Sequence, residues 1–149
     1  MAGQGIRFRP MLGRMATWDD VRRIANSLPE VTEEGMRGSI AWKVHKTLFV
    51  WERPLRRSDL EALGDAAPDG PILGARVPEL GVKDVLIASD PGVYFTTPHF
   101  DGYPAILVRL PEIGREELEE LIVEAWLCRA PKRLVKHWEA ESGRDTDAL

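Results

Sequence analysis

The chain has 149 residues, 44% hydrophobic and 30% charged, with a formal net charge of −4, enough for one ordinary core without metals or disulfides. Cys128 is the single cysteine, which excludes an intramolecular disulfide or a thiolate zinc cluster built from this chain and suits a reducing cytoplasm. No run approaches the roughly 18 apolar residues that span a bilayer, and the start around Arg7-Phe8-Arg9-Pro10 lacks an apolar signal core, so a soluble, unexported protein is expected.

Residues 1–16 hold Gly, Arg and Met with no apolar period and read as a flexible extension, with Met15 an internal candidate start. Thr17 then has the character of an N-cap, with Asp20 three residues on and Asp19 beside it at the positive end of a helix. Val21, Ile24, Ala25 and Leu28 follow at helical spacing, and Pro29 ends the run.

From Glu30 the period becomes extended, with Ile40, Trp42 and Val44 alternating against Ala41, Lys43 and His45. A turn at Lys46-Thr47 and the apolar run Leu48-Phe49-Val50-Trp51 complete a three-stranded antiparallel meander over 31–53. A short helix at 58–63 capped by Ser58, a loop with an Asp69-Gly70 turn, and a strand at 72–77 come next. Val82, Val85 and Leu86 predict one or two helical turns before Asp90-Pro91-Gly92, whose order suits a type II turn. Strands at 93–96 and 105–110 flank the segment Thr96-Thr97-Pro98-His99-Phe100-Asp101-Gly102-Tyr103-Pro104. The strongest helix is 115–129, where Leu118, Leu121, Ile122 and Ala125 form a stripe against five glutamates, and Pro131 starts a last helix to about Glu141. Hairpin-type links dominate, so the fold class is α+β: a two-layer form with an antiparallel sheet of about five to six strands packed by helices. Residues 17–141 form a single domain on this reading, and 142–149 a flexible tail.

The 96–104 segment places a His, an acid, a phenol and two hydroxyls on a short turn ahead of the buried run Ala105-Ile106-Leu107-Val108. It does not name a reaction. His45, His99 and His137 fall on three separate elements, with no metal-ligand spacing. Cys128 sits inside a helix like a packed side chain, and Thr96 or Thr97 beside His99 and Asp101 is too compressed for a hydroxyl relay. Phosphate loops and dinucleotide glycine motifs are absent, so no cofactor and no catalytic residue is expected. Asp101-Gly102 reads first as turn chemistry, with Gly102 taking a positive φ.

Four blocks, namely this segment, Trp51-Glu52-Arg53-Pro54-Leu55-Arg56, Pro71-Ile72-Leu73-Gly74 and Arg129-Ala130-Pro131-Lys132-Arg133-Leu134, resemble the small bacterial MmcQ/YjbR family in order, over roughly 17–138. The resemblance implies a two-layer fold similar to secretion-chaperone-like folds and a non-enzymatic, DNA-binding role with hairpins flanking a helix as the contacting parts. By residue that falls on the hairpin from Lys43 to Lys46 and on the turn from His99 to Tyr103.

The charge distribution bears on that role. Residues 1–60 carry a net +4 and residues 61–149 a net −8, so a basic face on an acidic protein is one reading and a solvated surface the other. Candidate phosphate contacts are Lys43, Lys46, Arg53, Arg56 and Arg57 around the hairpin, and Lys132, Arg133 and Lys136 on the last helix, although Glu52, Asp59, Asp90 and Asp101 lie near the same segments. The alternative is a small-molecule or peptide module whose pocket is lined by Trp42, His99, Asp101 and Tyr103, with core packing the competing role for Trp42. Stacking of single-stranded bases on Phe100 or Tyr103 is a variant of that pocket.

Overall fold

Thr17 caps the first helix, α1 (Trp18–Asn26), through a reciprocal box: the Asp20 amide donates to the Thr17 hydroxyl, and the Thr17 amide donates to the Asp20 carboxylate at 2.9 Å. Asp20 also receives Arg115 from a distant helix at 3.1 Å, so the cap is tied to tertiary structure. The structure is a computed structural model that describes residues 16–143. The extension and tail expected at the two ends lie almost wholly outside the described residues.

Three strands follow as the expected meander: β1 (Val31–Met36), β2 (Ser39–Val44) and β3 (Thr47–Glu52). The second turn is centred one residue earlier than its composition implied. His45 and Lys46 both take positive φ, 49° and 68°, which is the two-residue geometry that matches strand twist. A bulge then leaves Phe49 unpaired, because Trp42 faces Val50 while the adjacent Lys43 faces Leu48. Phe49 and Val50 consequently both enter the same core.

After β3 come α2 (Arg57–Leu63), β4 (Ile72–Arg76), α3 (Leu80–Ser89), β5 (Tyr94–Phe95), β6 (Ala105–Arg109), α4 (Arg115–Arg129) and α5 (Lys132–Ser142). The fold is α+β, with one open six-stranded sheet in the order β1-β2-β3-β4-β6-β5 and every neighbouring pair antiparallel. Three local expectations are corrected. Ser58 is not the cap of α2, since the Asp59 carboxylate accepts from the Arg56 amide one residue earlier. The helix from Leu80 is a full ten residues. Gly92 does not take the positive φ that a type II turn demands.

Alternation divides the sheet residues between two layers. Trp42, Val44, Val50, Leu73, Ala75, Ile106 and Val108 pack with α1, α4 and Leu134 of α5 in the main core. Each such buried aliphatic side chain contributes about 1.5–3 kcal/mol. On the other face Ile72, Ala105 and Leu107 meet Phe95, Phe100, Leu55 and Leu63, so the 96–104 segment and α2 cover only part of it. The uncovered part is where a ligand can approach.

Candidate functional site

A groove of about 1020 Å³ opens on that second face, between the β2–β3 hairpin, the 53–56 segment and the 99–103 turn. Gly74 sets its depth. An added Cβ there would lie 2.4 Å from the Trp51 indole, so the ring rests flat on the β4 backbone. Phe100 stands 6.4 Å from Trp51 and Tyr103 lies 6.2 Å from Phe100, giving a run of three rings. His99 stands edge-on to Phe100 at 4.8 Å and is exposed.

The ring-bearing wall is a type II turn over 100–103. Asp101 has φ −60° and ψ 131°, Gly102 has φ +74°, and the Tyr103 amide donates to the Phe100 carbonyl at 3.0 Å. A buried ammonium holds this turn from behind: Lys83 of α3 donates to the carbonyls of Phe100 at 2.7 Å and Tyr103 at 3.1 Å. Burial pushes the Lys83 pKa down, against the opposing field of Asp101 and Asp84. Arg76 adds a brace, its guanidinium 4.7 Å from the Tyr103 ring centre and bonded to its hydroxyl at 3.1 Å.

A second buried cation supports the floor. Arg53 is 6% exposed, lies 5.2 Å from the Phe100 ring centre, pairs with Asp59 at 3.0 Å and donates to the Pro54 carbonyl. Burial raises the Asp59 pKa, but the Arg56 amide and the Arg53 charge outweigh it and hold the carboxyl below its usual range.

Two sequence-expected site residues are corrected by this arrangement. Trp42 is fully buried in the helix-side core, stacked on Trp18 at 6.5 Å and bonded to Glu33, and it lines no part of the groove. Arg53 is enclosed and paired, so it supports the groove instead of meeting a phosphate directly. Of the rest, His99, Asp101, Tyr103 and Arg56 come together as groove lining. Lys43 pairs with Glu34 at 3.1 Å. Lys46 and Arg57 are exposed, while Lys132, Arg133 and Lys136 stand exposed on α5, which packs in the helical layer. The two cation groups therefore belong to different layers of the sheet.

Lys83, Arg76 and Arg37 were not singled out by sequence reasoning, and Glu52 only as an acid beside the candidate cations. Lys83 left a trace: it stands three and four residues before Leu86 and Ile87, both packed on the core, so it is a lysine on an apolar helical face. His45 meets Glu30 and His137 meets Glu141, which leaves His99 as the histidine at the groove. The Cys128 thiol is half-buried and its pKa is pushed up by that burial. Among the described residues no group of three His, Cys, Asp or Glu is placed to hold a metal ion, and no helix is long and apolar enough to cross a membrane.

No family model matches the chain. An uncharacterised protein of Mycobacterium tuberculosis (strain H37Rv) is 58% identical over 132 residues, covering 87% of this chain and all of that protein. An uncharacterised protein of Mycobacterium bovis is 58% identical over the same length and coverage. The chain belongs to the family of these mycobacterial proteins. A solved structure of a Deinococcus radiodurans protein with a DUF419 domain matches it at TM-score 0.60 and 20% identity, covering 87% of this chain and 89% of that one. That likeness extends the two-layer α+β fold to the DUF419 protein.

Proposed function

We propose that the chain is a non-enzymatic, DNA-binding domain of the MmcQ/YjbR kind that holds unpaired DNA in the groove. Bases rest against Trp51 and Tyr103, with the buried Phe100 ring packed between them, and phosphates meet Arg37 and Arg56. The observation that carries this reading is the joint placement of the Trp51 and Tyr103 rings and two guanidiniums in one groove, with neither guanidinium in an ion pair among the described residues. Stacking on such rings contributes about 1–3 kcal/mol per base and tolerates any sequence. Unpaired DNA suits this protein better than duplex: the net charge is −4, Arg53 is enclosed, and the α5 cations belong to the other layer. A non-enzymatic role is supported by the raised Cys128 thiol and by histidines that stay on separate elements.

A second reading, a small molecule or peptide in the same groove, is favoured by its volume, at the upper end of the range of about 300–1,000 Å³ for small-ligand sites. Fluorescence anisotropy separates the two readings. A labelled single-stranded oligomer should bind in a salt-dependent way, and the matching duplex should displace it poorly. Absence of oligomer binding at low salt removes the nucleic-acid reading and leaves the small-ligand one.

A further inference from the structure

We infer that Asp101 is a base-reading residue, and that the groove prefers a strand carrying guanine over one made of thymine alone. The inference rests on the nucleic-acid reading of the groove and goes beyond it by assigning a specificity.

Two acids line the groove, Glu52 and Asp101, and they differ in their commitments. Glu52 already accepts the Ile40 amide at 3.2 Å. No hydrogen bond or close ion pair engages the exposed Asp101 carboxylate among the described residues. An acid beside a phosphate track repels it, whereas an acid beside stacked bases is a pure acceptor that discriminates between their edges. Guanine offers N1–H and N2–H side by side, a match for both oxygens of one carboxylate. Thymine flanks its single N3–H with two carbonyls that the same carboxylate repels. These edges are accessible only in unpaired DNA, the state the ring-lined groove accommodates.

Asp101 is also held in place to perform such a reading. It occupies the first corner of the type II turn, between the rings of Phe100 and Tyr103. Lys83 fixes the carbonyls on both sides of it, at 2.7 and 3.1 Å. Lys83 is in this sense a positioning residue for the reader.

The test uses the full chain and three labelled single-stranded probes of equal length: thymine only, thymine with interspersed guanine, and thymine with hypoxanthine in place of each guanine. The guanine probe is expected to bind about tenfold tighter than the thymine probe, in line with a bidentate base contact. Hypoxanthine, which lacks the N2 amino group, should lose most of that gain. Asp101→Asn should erase the guanine preference, by weakening the guanine probe and relieving the repulsion of thymine, while leaving the melting temperature nearly unchanged, and Lys83→Met should narrow the preference in the same direction. Equal binding of all three probes, or a preference that survives Asp101→Asn, overturns the inference and leaves DNA binding intact. Failure of every probe to bind overturns both.

Discussion

The Trp51 indole lies flat against Gly74 of the neighbouring strand, where a Cβ would come within 2.4 Å of the ring. Glycine is therefore required by the tryptophan and not by backbone conformation. Gly74→Ala is expected to lift the indole or shift β4, at a cost of about 1–3 kcal/mol. Denaturant titration measures the loss. Trp51→Leu in the same background should recover much of it, because the clash is with the indole.

The buried pair Arg53 and Asp59 gives a second outcome. Asp59→Asn leaves an uncompensated guanidinium beneath Phe100 and should cost about 3–5 kcal/mol, whereas replacing both residues with apolar ones of similar volume should cost much less. A double-mutant cycle on unfolding free energy reads the coupling directly.

The same pair shapes acid stability. The folded Asp59 carboxyl is held below its ordinary value of 3.8, so below that pH the unfolded chain binds the proton more readily than the folded one. Its stabilising contribution is complete above about pH 4 and disappears as pH falls through the lower, folded pKa. Asp20, where burial again raises the pKa but the Thr17 amide and Arg115 outweigh it, adds to the same slope. Stability measured from pH 5 downward should fall less steeply in Asp59→Asn than in the unmodified chain.

Much of this fold is legible in the residues because each element carries its own chemistry. The glutamate-lined stripe of α4, the Thr17 and Asp20 box and the alternation of β2 all depend on local spacing, and all fold as the spacing implies. Where two residue choices compete locally, the boundary moves: His45 and Lys46 take the left-handed turn that glycine or asparagine would have announced. The site was harder to see. His99, Asp101 and Tyr103 adjoin one another in sequence, but the wall they form depends on Lys83, 17 and 20 residues away from the carbonyls it bonds. Arg53 belonged to a basic run by composition, and only tertiary burial beside Asp59 and Phe100 removes it from the surface.

Lys83→Met should loosen the groove wall more than the fold. Both carbonyls keep a backbone donor, the Tyr103 amide for Phe100 and the Ala105 amide for Tyr103, so global stability should change by no more than about 1 kcal/mol. Hydrogen exchange at the Asp101 and Tyr103 amides should quicken, while that of the α4 core remains slow.

The cations should separate by layer. Arg37→Ala and Arg56→Ala are each expected to weaken binding of a single-stranded oligomer and to lower the salt slope by about one. Joint replacement of Lys132, Arg133 and Lys136 on α5 should leave both quantities nearly unchanged, because α5 packs in the helical layer.

The most direct measurement is a salt-resolved anisotropy titration of a labelled single-stranded oligomer with the native chain and with Tyr103→Ala, a residue 41% exposed at the groove. The account requires native binding that weakens steeply with salt, and a loss of about 1–3 kcal/mol on removing the ring, with the melting temperature preserved. Oligomer binding that is absent at low salt, or equally strong without Tyr103, would contradict it.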